Sequence, residues 1–118
     1  MTIKEIQTMI ASFSLPNAYH HFDDEQLATL TLPYIRWYFN GIDDMYADNI
    51  NFQSIPELRI ELYTDYKDFE NESTIEAALK TAGIAYDKID SYIDSERMYC
   101  TTYAGDVVIT EEEEETNG

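Results

Sequence analysis

The sequence predicts an α+β fold: a small four-stranded, mainly antiparallel sheet with two packed helices, a long loop between its first two strands, and an acidic disordered C-terminal tail. Two segments repeat apolar residues at the period of a helix, and four segments have the alternation or β-rich composition of strands. Hydrophobic residues make up 44% of the 118 residues, which is enough for the core of one domain. We therefore expect a single α+β domain at residues 1–109 and an acidic flexible tail at residues 110–118.

The first helix is predicted near the N terminus, where apolar residues recur at steps of three and four. These residues are Ile3, Ile6, Ile10 and Phe13. Thr2 and Glu5 have the spacing of a capping box, in which each side chain accepts a hydrogen bond from the backbone of the other residue. The proline in "SLPNA" disfavours the helical conformation of the residue before it, so the helix is expected to end there.

The two strands that follow are predicted from alternation. Residues 34–40, "YIRWYFN", carry aromatic side chains on both faces, which predicts a strand covered on both sides. Residues 57–64, "ELRIELYT", place leucine and isoleucine on one face and Arg59, Glu61 and Tyr63 on the other, which predicts one face open to water. The loop between these strands contains "GIDDMYADNINFQ", residues 41–53, and is longer than an ordinary hairpin turn.

A second helix is predicted within residues 65–83, because acidic residues crowd its first turns, Lys80 lies near its end, and Gly83 suits the C-terminal cap. Its apolar stripe consists of Ile75, Ala78, Leu79 and Ala82. Two β-rich runs follow at residues 84–93 and 97–109, joined by "DSE". They predict a closing hairpin.

The formal net charge is −17, and it is unevenly distributed. Residues 1–42 hold four acidic and two basic residues, whereas residues 43–118 hold twenty acidic and five basic residues. This balance argues against recognition of a nucleic-acid backbone or an anionic membrane, since both require basic side chains. The run Glu111–Glu115 cannot be buried at such a charge density, so it is expected to be solvated.

The chain has no apolar run near the roughly 20 residues that span a bilayer, and its first residues lack the basic start of a signal peptide. Its single cysteine, Cys100, excludes an internal disulfide and suits a reducing cytoplasm. We therefore expect a soluble protein that is intracellular at synthesis.

The long loop is the first candidate for a metal site. Its acids and amides lack the regular ligand spacing and the terminal glutamate of a calcium loop. In one interpretation, a cation is bound loosely by Asp43, Asp44 and Asp48. The favoured one is that these residues form turns and hydrogen-bond their own backbone.

The histidines and the cysteine are the other candidates for chemistry. His20 and His21 are expected to point to opposite sides of an extended chain, with one ring packed inward and one outward, so they are not predicted to share a zinc ion. Cys100 lies in a predicted strand without a helix start or glycine-rich turn to activate it, so a Cys100–His20 nucleophile pair is disfavoured. The sequence contains no P-loop, dinucleotide-binding motif or nucleophile elbow. We predict no enzyme activity, no cofactor and no metal.

Aromatic residues are abundant, with ten tyrosines, five phenylalanines and one tryptophan. Tyrosine suits interfaces because it combines a large contact area with a polar tip. Residues such as Tyr38 and Tyr86 are expected to fill sheet faces, whereas Tyr46 in the long loop is predicted to make an exposed contact.

Five motifs in a fixed order carry a resemblance to a known family. They are "AYHHF", "LPYIRWYF", "DDMYADNINFQ", "LRIELYT" and "ALKTAGIAYDKIDSYIDSERMYCTTY". Over residues 17–109 the chain resembles the tail completion, or tail terminator, proteins of Gram-positive siphophages and prophages, which belong to the head–tail joining gene cluster. "YADN" and "ELYT" are the sharpest matches, and residues 110–118 lie outside the resemblance.

The resemblance implies a virion structural protein that forms a homo-oligomeric ring, usually a hexamer, at the head-proximal end of the tail. Its partners would be further copies of itself, the tail tube protein and the head–tail connector or stopper protein. DNA would pass through the ring without specific binding. The protein would occur in the host cytoplasm during assembly and at the head–tail junction of the virion.

The long loop is interpreted as an assembly arm that fits a groove on the next copy, because a closed ring needs two different contact surfaces on each subunit. The predicted contact residues are Asp43, Asp44, Met45, Tyr46, Asp48, Asn49, Asn51 and Phe52. Three alternatives stay open at this stage: another head–tail joining protein of the stopper or connector type, an acidic DNA-mimic inhibitor, and an enzyme with a carboxylate-bound metal.

Overall fold

A computed structural model describes residues 1–40 and 55–110, which form an α+β domain. The helices are α1 (Ile3–Ala11), α2 (Asp24–Leu27) and α3 (Phe69–Thr81). The strands are β1 (Asn17–Tyr19), β2 (Tyr34–Asn40), β3 (Glu57–Thr64), β4 (Asp87–Ile93) and β5 (Met98–Asp106). They form one sheet in the order β1-β2-β3-β5-β4, in which β1 is parallel to β2 and all other neighbours are antiparallel. The predicted α+β class is confirmed.

Within the described residues the sheet has five strands rather than the predicted four. The additional strand, β1, pairs three residues with β2, from Asn17 opposite Ile35 to Tyr19 opposite Trp37. So short a segment has no readable alternation, and its pairing depends on a partner far along the chain. The connection from β1 to the parallel β2 includes the four-residue helix α2, which was also not predicted.

Helix α1 begins as predicted. The Thr2 hydroxyl accepts a hydrogen bond from the Glu5 backbone N–H at 3.0 Å, and the Glu5 carboxylate accepts one from the Thr2 N–H at 2.8 Å. These two bonds satisfy N–H groups that a helix start leaves without partners. The buried side chains of Ile6 and Ile10 then face the core.

Helix α3 also ends as predicted. Gly83 has φ +76°, a conformation that costs little only for glycine. The Gly83 N–H donates to the Lys80 carbonyl at 3.0 Å, and the Ile84 N–H donates to the Leu79 carbonyl at 2.9 Å. This pair of bonds is a Schellman motif, which ends the helix and turns the chain toward β4.

The core lies between α1, α3 and one face of the sheet. That face contributes the buried side chains of Ile35, Trp37, Phe39, Leu58, Ile60, Leu62 and Tyr103. Val107 and Ile109 complete the core, and the Thr110 N–H donates to the Met1 carbonyl at 2.9 Å. The domain therefore closes where its first and last described residues meet.

The opposite face of the central strands is called the open face here. It carries Tyr34, Arg36, Tyr38, Arg59, Glu61, Tyr63, Cys100 and Thr102. The β2 side chains on this face are only half-buried, so the predicted cover on both sides of that strand is wrong for this side. Glu61, predicted to face water, is only 8% exposed, which is a second correction.

Candidate assembly interface

The predicted arm leaves and re-enters the sheet at adjacent positions. Asn40 at the end of β2 lies directly opposite Glu57 at the start of β3, and the Asn40 side-chain amide donates to the Glu57 carboxylate at 3.1 Å. The contact residues assigned to the arm all lie outside the described residues; they are Asp43, Asp44, Met45, Tyr46, Asp48, Asn49, Asn51 and Phe52. The paired ends nevertheless fix the end of the sheet from which this connection starts.

The return end of this connection is firmly anchored. Pro56 is buried, and its carbonyl accepts a hydrogen bond from the Val107 N–H at 3.0 Å. The Arg59 guanidinium lies 2.7 Å from the Glu57 carboxylate, and its hydrogen bond holds the pKa of Glu57 below its ordinary value. Ile55, by contrast, is 51% exposed. An exposed apolar side chain thus marks the point where the chain rejoins the sheet.

On the open face, one carboxylate organises its neighbours. Glu61 accepts hydrogen bonds from Arg36 Nε at 2.8 Å, from the Tyr63 hydroxyl at 2.6 Å and from the Tyr38 hydroxyl at 3.1 Å. The Arg36 guanidinium lies 4.7 Å from the centre of the Tyr38 ring and donates to the His20 carbonyl at 2.9 Å. These side chains cover Glu61, which explains its burial on a face that contributes little to the core.

Burial alone would raise the pKa of Glu61, but the hydrogen bonds from Arg36, Tyr63 and Tyr38 outweigh it and leave the pKa below its ordinary value. The pKa of Tyr63 is raised, first by burial and then by its bond to Glu61. Glu61 is therefore a fixed, ionised partner of Arg36 rather than a free base. Glu61 and Glu57 balance Arg36 and Arg59, so β2 and β3 carry no net charge on this side in a strongly acidic chain.

We expect Glu61→Gln to cost about 1–3 kcal/mol of unfolding free energy at pH 7, because it removes the charge from a covered, hydrogen-bonded pair. A lowered folded-state pKa contributes stability above the unfolded value, about 4.3 for glutamate, and loses it as the pH falls through the folded value. The difference in unfolding free energy between wild type and Glu61→Gln should therefore shrink below about pH 4. Urea unfolding across this range measures it.

The control for this prediction is Glu96→Gln, because Glu96 is an exposed carboxylate in the β4–β5 turn. The unfolding free energy of Glu96→Gln is expected to differ little from that of wild type at every pH. Subtracting its pH curve from that of Glu61→Gln removes the effect of the change in net charge that both variants share. A Glu61→Gln difference that stays constant down to pH 3 would contradict the assignment.

A second polar cluster, the α3–β4 network, joins the helix to the edge of the sheet. Lys88 Nζ lies 2.7 Å from the Glu76 carboxylate and 2.9 Å from Glu72 Oε1, although Glu72 Oε1 receives no well-aligned hydrogen bond. Lys67 Nζ lies 2.7 Å from Glu72 Oε2 and 3.1 Å from the Asp90 carboxylate. Two lysines thus hold three carboxylates, one of them the buried Glu72.

Hydroxyl groups from β5 complete this network. The Tyr103 hydroxyl donates to Glu76 at 2.8 Å, and the Thr101 hydroxyl donates to Asp90 at 2.9 Å. The bond from Lys88 lowers the pKa of Glu76. Burial would raise the pKa of Asp90, but the bonds from Lys67 and Thr101 lower it overall. These carboxylates serve to fasten α3 to the sheet.

The predicted opposite orientation of the two histidine rings is wrong. His20 has φ +71°, so the chain is not extended there, and the two Nδ1 atoms of His20 and His21 come within 3.1 Å. Both side chains are exposed, and neither packs inward. Within residues 1–40 and 55–110, no three His, Cys, Asp or Glu side chains are grouped to hold a metal ion.

Cys100 and His20 do not form a nucleophile pair. Cys100 is buried in β5, where burial raises the pKa of its thiol. His20 follows β1, and β2 and β3 lie between β1 and β5. At about 4.8 Å per strand spacing, the two backbones are roughly 14 Å apart.

Large exposed apolar side chains occur at several places that sequence reasoning did not identify. Phe69 is the first residue of α3, Tyr66 lies three residues before it, and Ile89 and Tyr92 lie on β4. Their exposure depends on which strand forms the edge, which local patterns do not show. Tyr86, expected to fill a sheet face, packs beside the core against Tyr103.

No helix in the described part of the chain is long and apolar enough to cross a membrane. No protein-family model matches the chain, and no curated protein matches it significantly.

Proposed function

We propose that the chain is a non-enzymatic structural subunit of a phage virion, a tail terminator or completion protein that forms a ring between the tail tube and the head connector. The motif resemblance supplies the family and the hexameric ring. The observation that carries the assembly role is the arm base, where a connection of 16 residues starts and ends at the Asn40–Glu57 pair.

A head-to-tail ring requires two different surfaces on each subunit. The arm starts at the Glu57 end of β3, and the exposed Tyr66 and Phe69 follow its Thr64 end, roughly 23 Å away at about 3.3 Å per residue. Two candidate contact surfaces thus lie at opposite ends of one strand. Aromatic side chains of this kind are typical of interface cores.

The titratable clusters support a structural role. Glu61 is paired with Arg36, the carboxylates of the α3–β4 network are held by lysines, and Cys100 is buried with a raised pKa. Each of the two charged clusters joins one element of the fold to another. The high negative charge suits a bore through which DNA slides, because a phosphate backbone is repelled rather than bound.

The test is negative-stain electron microscopy of lysates from phage that lack this gene. Detached tails of abnormal length beside DNA-filled heads are expected. Normal tails with leaking or empty heads would instead assign the protein to the stopper or connector side. Intact, infectious particles would overturn the structural role and favour a DNA-mimic inhibitor.

A further inference from the structure

Strand β4 forms one outer edge of the sheet, since its partner in the described part of the chain is β5 alone. Residues 87–92 are all exposed, and Ile93 is partly exposed. A free edge presents unpaired backbone N–H and C=O groups to other chains. Proteins commonly protect such an edge with charged side chains that make pairing with another strand unfavourable.

Two of the three charged side chains of β4 are bound within the subunit, whereas the third, Asp87, lies at the first residue of the strand. Lys88 is bound to Glu72 and Glu76, and Asp90 is bound to Lys67 and Thr101, as part of the α3–β4 network. Between Ile89 and Ile93, Asp90 is the one charged residue. Ile89 is 53% exposed and Tyr92 is 49% exposed, so each face of the edge carries one large exposed apolar side chain.

We propose that β4 pairs antiparallel with β4 of a second copy of this chain, about a two-fold axis at Ser91. Such a contact is isologous, with the same residues contributed by each copy. Ile89 then lies opposite Ile93 of the partner subunit, and Asp90 lies opposite Tyr92 of the partner subunit. The pair joins two five-stranded sheets into one continuous sheet.

The side chains select this register. Registers centred on neighbouring residues differ by a two-residue slip, which keeps every side chain on its own face. Centring on Asp90 would place two carboxylates directly opposite each other, which is destabilising. Centring on Ile89 would leave Tyr92 and Ile93 beyond the end of the partner strand. Centring on Ser91 pairs all four isoleucines of the two copies without opposing like charges.

This contact does not rest on the proposed ring, because it uses neither the arm nor Tyr66 and Phe69. It also has a distinctive salt dependence. Two chains of formal charge −17 repel each other, and added salt screens that repulsion. The pair is therefore expected to strengthen as ionic strength rises.

Cysteine cross-linking tests the register. The background is Cys100→Ala, because Cys100 lies directly opposite Ser91 within one subunit and would compete for a disulfide. Residues opposite each other in antiparallel strands have Cα atoms about 4.5–5.5 Å apart, within disulfide range. Ser91→Cys is therefore expected to give a covalent dimer on mild oxidation, measured by non-reducing gel electrophoresis.

Two matched variants complete the experiment. Ser95→Cys is the same substitution at an exposed position four residues along, where the two copies are roughly 26 Å apart at about 3.3 Å per residue, so no dimer is expected. Ile89→Cys tests the competing register in which the two-fold axis lies at Ile89. A dimer from Ile89→Cys in place of Ser91→Cys, or from none of the three, would overturn the proposal.

A second measurement avoids the background substitution. Ile89→Lys in the otherwise unchanged chain should weaken dimerisation at least about tenfold in sedimentation, which corresponds to ~1.4 kcal/mol. Lys80→Ala is the control, because Lys80 is exposed on α3 and takes no part in the network. A wild-type chain that stays monomeric at high concentration in both low and high salt would refute β4 pairing.

Discussion

A variant that lacks residues 43–52 is expected to keep its fold and to lose the proposed ring assembly, so that it fails to rescue phage without the gene. Gly41, Ile42, Gln53, Ser54, Ile55 and Pro56 then connect Asn40 to Glu57. Because these two residues are directly paired, a connection of this length closes the hairpin without strain. Circular dichroism reports the fold, and counts of joined particles in complementation report assembly.

The matched control for this deletion keeps the length of the loop. Replacing Met45, Tyr46 and Phe52 by serine should cause a similar loss if side-chain contacts, rather than reach, join the subunits. Pairing through β4 is expected to persist in both variants, so the two proposals fail separately. A deletion variant that still rescues tail joining would refute the arm interpretation.

Trp37→Ala is expected to destabilise the domain by about 3–5 kcal/mol, a large part of the 5–15 kcal/mol typical of a domain. Trp37 is 4% exposed and lies opposite Ile60 in the sheet, with its ring 4.9 Å from that of Tyr19. Truncation leaves a cavity that the rigid sheet cannot close. The midpoint of urea unfolding measures the loss.

Phe69→Ala is the matched control, because this side chain is 69% exposed and its truncation should change stability by no more than about 0.5 kcal/mol. Equal unfolding midpoints for wild type and Trp37→Ala would mean that the β2 side chain contributes nothing to the core.

Features specified by neighbouring residues were predictable from the sequence. The capping box of Thr2 and Glu5, the C-terminal cap at Gly83 and the β4–β5 hairpin each depend on contacts within a few residues. The burial of Trp37 followed from alternation within β2. These elements are confirmed because local chemistry and the global fold agree on them.

Features specified by distant residues were not predictable. Strand β1 exists because residues 17–19 meet β2, and Glu61 is covered because the register brings Arg36 and Tyr38 beside it. The left-handed backbone at His20 reversed the expected direction of a histidine ring. The exposure of the β4 side chains could not be predicted because it depends on the position of β4 at the edge of the sheet. The arm itself lies outside the described residues and stays a prediction.

The position of β5 constrains the order in which the domain can be made. Although it comes last in sequence among the strands of the described residues, it lies between β3 and β4 and is the strand through which β4 joins the sheet. A chain growing from its N terminus therefore lacks the strand that links β4 to β3 until residues 98–106 have been added. Until then one edge of β3 is unpaired, and β4, although already synthesised, has no strand that joins it to β3. The sheet can be completed only after this segment has been added, and shorter nascent chains expose the unpaired edge of β3, which favours aggregation.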